Sequence, residues 1–344
     1  MRKKSNWNDP FLLLPIMVVS VVMVYQISYL INISIFQVPD RSLLKYKEAY
    51  DRINNSTYNY PTHKLQIGDY HRLVNQSFEF KIMNSNRCNS SIFILILVNS
   101  SPKNFARRRL IRRTWGKRNG RALILFALGS VVKPELQKRI ERENSMYKDL
   151  IQGSFRESFK NTTYKNVMMF KYAIYHCAHA KYMLKTDEDV FINVEGLITF
   201  LDKKISSKGA INFLLCLPPN ERVIRSFIGG YPRKRKPKKR HISTYIGMFL
   251  VYSKNVIFEF YAYAQSSKFT WMDDSHISGY FFKKLRFHHV NAKPYMVPRK
   301  DLVKVINRDG DVTYPFFFSG PDLSYYEMEW LDGYLKNRSR IVIK

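Results

Sequence analysis

Two stretches of the chain are apolar at almost every position. Ser91-Ile-Phe-Ile-Leu-Ile-Leu-Val98 and Ala122-Leu-Ile-Leu-Phe-Ala-Leu128 lack the alternation of a half-exposed strand, so they predict strands covered on both faces. Asn99-Ser-Ser-Pro102 breaks the first of these. From Asn104 to Gly116 the period becomes helical: Leu110, Ile111, Thr114 and Trp115 fall on one side, Arg109 and Arg113 on another, and Gly116 stands where a helix ends. A charged helical stretch from Pro134 to about Lys148 follows the second strand. Then come a short strand at Asp149–Gln152, a helix from about Thr163 to Ala180, and the apolar run Tyr182-Met-Leu184. Strand alternating with helix predicts an α/β fold with a mostly parallel sheet and helices on its faces.

The amino terminus has a different pattern. Between Asp9 and Asp40 there is no Asp, Glu, Lys or Arg, and the apolar run starting at Phe11 is long enough to span a bilayer. No small-residue cleavage site is evident, which favours an uncleaved transmembrane signal anchor over residues 11–36. Arg2, Lys3 and Lys4 lie in the tail before it, residues 1–10. They hold that tail in the cytosol and send the rest into the secretory lumen, a single-pass type II topology. Sequons at Asn54, Asn55, Asn75, Asn89, Asn161 and Asn337 fit that placement. Residues 37–87 are rich in Asn, Tyr, Lys and Ser without sustained periodicity, so they read as a stem, and the folded domain is expected over 88–344.

Composition agrees with a folded protein: 344 residues, 45% hydrophobic and 15% aromatic, which excludes wholesale disorder. Cys88, Cys177 and Cys216 allow one disulfide in an oxidising lumen, and the sequence does not say which. The formal net charge is +30, from 57 basic and 27 acidic residues. Basic charge peaks at Arg233-Lys-Arg-Lys-Pro-Lys-Lys-Arg240, a run that fits a nucleic-acid patch or a solvated loop. An amino-terminal anchor favours the loop and a chain without a nucleic-acid partner.

Acid is scarce, so the triplet Asp187-Glu188-Asp189, directly after a predicted strand, needs a reason. In extended chain Asp187 and Asp189 share a face and Glu188 looks the other way. Two hard oxygen donors at a strand end suit Mg²⁺ or Mn²⁺ held jointly with nucleotide phosphates. A solvated acidic turn is the plainer alternative. In open α/β sheets the ligand crevice lies beyond the carboxyl ends of the strands, where the loop Asn99–Asn104 and the acidic turn are both expected.

These motifs, in this order, resemble the β-1,3-glycosyltransferase family of the Golgi, glycosyltransferase family 31. Arg108-Arg-Leu-Ile111-Arg112-Arg-Thr114-Trp115-Gly116 is similar to the family's Arg-x-x-Ile-Arg-x-Thr-Trp-Gly. Lys185-Thr-Asp-Glu-Asp-Val-Phe-Ile-Asn193 is similar to its Lys-Thr-Asp-x-Asp-x-Phe-x-Asn. Tyr147–Gln152 matches an intervening stretch, and Trp271-Met-Asp273-Asp274-Ser-His-Ile-Ser-Gly279 occupies the place of the family's second acidic motif. The resemblance covers roughly residues 88 to 290. It implies a GT-A-type fold, a UDP-sugar donor, Mn²⁺, and transfer of galactose or an N-acetylhexosamine with inversion, in β-1,3 linkage. The acceptor would be a glycan, glycoprotein or glycolipid, and the place the Golgi membrane.

By the same resemblance Asp274 is the catalytic base, with a helix N-cap as its alternative role. Asp187 and Asp189 are the metal ligands, and Arg108, Arg112, Asp187 and Glu188 contact the donor. The chain departs from the family at Phe249, which stands where a second Gly is usual after Gly247, and at Asp273 and Ser275, where Glu and Val are usual. Phe249 would reshape the acceptor pocket. The nearest counterparts of the family's metal-binding His are His288 and His289. The rival readings are a glycan-binding pseudoenzyme on the same fold and a nucleic-acid-binding basic protein.

Overall fold

The computed structural model describes residues 41–50, 58–117, 119–218, 246–269, 288–307, 312 and 316–342. The anchor, Asp273, Asp274, the basic run 233–240, Asn54 and Asn55 lie outside these residues. Among the described residues no helix is long and apolar enough to cross a membrane.

In chain order the elements are α1 (Arg41–Tyr50), β1 (Arg72–Leu73), β2 (Gln76–Ser77), β3 (Phe80–Ile82), β4 (Ile94–Asn99), α2 (Phe105–Arg113), β5 (Ala122–Ser130), α3 (Pro134–Tyr147) and β6 (Leu150–Arg156). There follow α4 (Thr162–His176), β7 (Tyr182–Asp187), α5 (Val194–Phe200), β8 (Phe213–Leu217), β9 (Ile246–Ser253), α6 (Lys254–Ser266) and β10 (His288–Asn291). The last are β11 (Met296–Val297), α7 (Arg299–Asn307), β12 (Phe318–Ser319) and α8 (Tyr325–Val342).

One sheet of eight strands runs β10-β8-β9-β7-β4-β5-β6-β3. Its centre, β7-β4-β5-β6, is parallel throughout; β9 is antiparallel to both neighbours, and β3 is antiparallel to β6. The continuous apolar runs follow from this position. Ile94, Ile96 and Val98 of β4 enter one core and Leu95 and Leu97 enter the other. Phe126 and Leu128 of β5 likewise oppose Leu125 and Ala127. Helices α2, α5, α7 and α8 cover the first face, through residues such as Ile111, Leu197, Leu302 and Leu331. Helices α4 and α6 cover the second, through Val167, Phe170, Val256 and Phe260. Burying both faces removes water from most side chains of β4 and β5, which is why no polar alternation interrupts their apolar runs.

The segment read as a stem is largely part of the fold. Tyr46 of α1 is fully buried and its hydroxyl donates to Ile211 O over 3.0 Å, while Ser42 Oγ accepts from Asn291 N at 2.8 Å on the outermost strand. Strand β3 extends the sheet beyond β6. Buried Asp69 accepts from Tyr175, Tyr261 and Gln265, and Lys171, with no exposed surface, donates to Asp69 O and Tyr70 O. Strands of two or three residues and a buried polar knot leave no hydrophobic period, so sequence pattern placed the boundary too late. Cys88 and Cys177 form the disulfide, and Cys216 is buried and free.

Candidate functional site

Strands β5 and β7 lie on opposite sides of β4, so the strand order reverses there. The crevice of an open sheet forms at such a point, beyond the carboxyl ends. In this register Asn99, the last residue of β4, lies beside Asp187, the last of β7. Asn99 Nδ2 donates to Asp187 Oδ1 over 3.1 Å.

Glu188 turns toward the loop after β4. It accepts from Ser100 Oγ, from Asn104 Nδ2 and, at 3.5 Å, from Ser101 N. Burial raises its carboxyl above the ordinary glutamate range, while those donors and the Arg108 charge pull the other way. Asp189 faces the carboxy-terminal segment instead: its Oδ2 accepts from Asp322 N over 3.0 Å and its carbonyl accepts from Leu323 N. The three acids therefore have three different sets of partners. Directly after them Val190, Phe191 and Ile192 are buried, and Asn193 caps α5, accepting from Gly196 N and donating to Phe316 O.

The arginines stand behind the loop. Arg108 is fully buried, and its five N–H donors reach Glu143, Ser100 Oγ, Ser101 O and Pro102 O at 2.6–3.3 Å. A guanidinium so engaged has no donor left for a phosphate. Arg112 bridges Glu143 at 2.7 Å and Asp149 at 2.8 Å, and packs over the Tyr147 ring. The arrangement departs from the expectation that these two arginines meet the nucleotide, because the scarce acids Glu143 and Asp149 claim both. Arg109 and Arg113 are exposed, as the helical pattern predicts.

Lys165 supports the loop from the other side. Its buried ammonium donates to Ser100 O over 3.0 Å and to Glu157 Oε1 over 2.7 Å, while Glu157 Oε2 accepts from Gly129 N. Sequence reasoning placed the loop Asn99–Asn104 at the crevice without giving Asn99, Ser100 or Asn104 a role, and it missed Glu143 and Lys165. Asn99 and Glu143 left a signal: the first ends an apolar run at a crevice, and the second is an acid in a basic chain.

Two further expectations are corrected. Phe249 is fully buried and stacks on Phe318 with ring centroids 3.9 Å apart, so it fills the core beside Thr186 and does not line an acceptor pocket. His289 pairs with Leu214, which is level with Tyr252 and hence with Met183, four residues before Asp187. With three strand spacings across and four residues along, it stands roughly 19 Å from Asp187. His289 therefore does not complete a metal site with Asp187, and His288 precedes it on β10. Among the described residues no group of three His, Cys, Asp or Glu side chains is placed to hold a metal ion.

Residues 106–293, more than half of the chain, match the family model described as galactosyltransferase. Over 219 residues the chain is 31% identical to beta-1,3-galactosyltransferase 1 of Mus musculus, covering 62% of this chain and 67% of that protein. It is also 31% identical over 186 residues to lactosylceramide 1,3-N-acetyl-beta-D-glucosaminyltransferase of Mus musculus, covering 50% of this chain and 49% of that protein. Among solved structures, a galactosyltransferase LgtC in complex with donor and acceptor sugar analogs overlaps 70% of this chain and 95% of its own. Its identity is 11% and its TM-score 0.38, too slight to add to the assignment.

Proposed function

The chain belongs to the galactosyltransferase family and is a glycosyltransferase, and from that premise we propose an inverting hexosyltransferase. It moves galactose or an N-acetylhexosamine from a UDP-sugar to a glycan hydroxyl in β-1,3 linkage. The observation that carries this reading is the junction of Asn99, Asp187, Glu188 and the Ser100–Asn104 loop at the carboxyl ends of β4 and β7. It is a polar, donor-rich corner at the carboxyl ends of β4 and β7, where open sheets of this kind form their ligand crevice.

In the transfer the acceptor oxygen attacks the anomeric carbon, the bond from that carbon to the diphosphate oxygen breaks, and UDP departs with the electron pair. Asp274 takes the acceptor proton. Asp187 and Asp189 present carboxylate oxygens, a donor chemistry that fits Mn²⁺ or Mg²⁺. One carboxylate oxygen of each accepts an N–H, from Asn99 and Asp322, which fixes its orientation. A bound divalent ion would neutralise charge on the leaving diphosphate. Glu188 and the loop amides form the wall against which the donor rests. Arg108 and Lys165 hold that wall and do not touch the donor.

The disulfide Cys88–Cys177 suits an oxidising lumen. Asn75, Asn89 and Asn337 are exposed, as lumenal glycosylation requires. Both support a type II protein of the Golgi membrane. The test is a donor screen on the full-length chain in detergent with Mn²⁺. Transfer from UDP-galactose or a UDP-N-acetylhexosamine is expected, with Asp274→Asn inactive yet still binding UDP. Robust transfer by Asp274→Asn removes the base, and absence of transfer from every UDP-sugar favours the glycan-binding pseudoenzyme.

A further inference from the structure

At the other end of the sheet, at the amino ends of β7 and β8, lies a cavity of about 280 Å³ lined by Ser90, His179, Lys181, Lys208, Gly209 and Lys254, among others. At about 30 Å³ for each water in the liquid, it holds several waters or one polyatomic anion with part of its hydration. Its lining carries three ammonium groups and no carboxylate. Glu259 stands near Tyr58 on the exposed side of α6 and is not among the lining residues.

Lys254 is the decisive member. It is only 8% exposed, and among the described residues no carboxylate or other hydrogen-bond acceptor meets its ammonium; the Tyr60 ring lies 5.1 Å away. Burial, and next the charge of Lys181, press its pKa down to about 8. The side chain is buried along its stem while the ammonium stays open to the cavity it lines, where a buried or half-buried cation is ordinarily met by an anion. Lys254 is also the first residue of α6, a helix of 13 residues with no acid in its first turn and no side-chain cap, so the helix start adds partial positive charge to the same space. Gly209 enters the wall with φ +101° and lies against the Lys181 stem, which sets backbone close to the cavity.

We propose that this cavity is a binding site for a tetrahedral oxyanion, a phosphate or phosphomonoester, clasped by Lys181, Lys208 and Lys254. Ala210, in its wall, precedes Ile211, whose carbonyl holds Tyr46 of α1. Helix α1 thus reaches the site with its later residues, while Ser42 at its start meets Asn291 toward the carboxyl ends of the strands; two sources present the same chemistry, free phosphate and a phospholipid headgroup.

The full-length chain in detergent micelles is titrated with sodium phosphate at constant ionic strength, and its unfolding temperature is followed. A saturable rise is expected. Lys181→Gln/Lys208→Gln raises the apparent Kd at least tenfold, Lys254→Met abolishes the response while melting cooperatively, and Asp189→Asn, at the opposite end of the sheet, leaves it intact. A rise that fails to saturate, survives in the double variant, or disappears in Asp189→Asn overturns the proposal. Dioctanoylphosphatidic acid distinguishes the sources: tighter binding than inorganic phosphate, lost in the double variant, supports a headgroup, and equal binding supports the free anion.

Discussion

Asn99 and Asp187 are register partners on β4 and β7, and the amide of one donates to the carboxylate of the other over 3.1 Å. A hydrogen bond to a charged group contributes about 1.5–3 kcal/mol. Asn99→Leu keeps the volume and removes the donor. It is expected to lower kcat/KM for the donor sugar roughly 10- to 100-fold with little change in Tm, and to raise the Mn²⁺ concentration for half-maximal activity. Unchanged kinetics in that variant would show that Asp187 needs no such orientation.

Arg108 and Arg112 separate structure from binding. Arg108→Lys keeps a charge but loses the five-donor fork, leaving Glu143 and the loop carbonyls short of partners; unfolding free energy should fall by about 3 kcal/mol. The corresponding Arg112 change should cost less than half as much, because that side chain is 13% exposed and water can replace lost bonds. Urea unfolding measures both. A tenfold loss of UDP affinity at unchanged stability in either variant would return that arginine to the donor site.

The Cys88–Cys177 bridge spans a sequence separation of 89. On the chain-entropy account, closing a loop of that length stabilises the fold by about 4–5 kcal/mol, an upper figure because unfolded chains are already compact. Reduction should therefore lower the Tm by many degrees. Cys216, with no exposed surface, should resist alkylation until the protein unfolds. Rapid labelling of Cys216 in the native state would contradict its place in β8.

Burial lowers the Lys171 ammonium to about 8, against partial compensation from Asp69. Between that value and its unfolded value the unfolded chain binds more protons than the native one, so this group makes stability rise with pH from about 8 to about 10.5. Lys254 acts in the same direction. Melting from pH 7.5 to 9.5 should show the increase, and Lys171→Met should reduce it to the part that Lys254 supplies. A wild-type curve that falls across this window would refute the assignment.

What could be read from the chain was the part whose physics is local. Ile94–Asn99 and Ala122–Ser130 are buried on both faces, so their runs of branched and aliphatic residues announced central strands, and a break at Asn99 announced a crevice. The facing of that loop and the acidic turn also followed, because parallel strands end on the same side. Partners distant in sequence did not follow. Arg108 carries the same charge whether it meets a phosphate or Glu143, and only the packing of α3 against α2 decides. Phe249 stands in a motif where glycine is usual, yet its partner Phe318 lies far along the chain. The early strands β1 to β3 are held by Asp69, Gln265 and Lys171, polar residues that no hydrophobic period reports.

The placement of α1 has one more effect. A sheet of eight strands leaves two rims of unpaired backbone, which invite neighbouring molecules to add themselves edge to edge. Here a helix lies along β10, with Ser42 capping the amide of Asn291, and the other rim is three residues long and irregular in register. The fold thus denies a stray strand any long template, a safeguard for a chain this rich in aromatic residues.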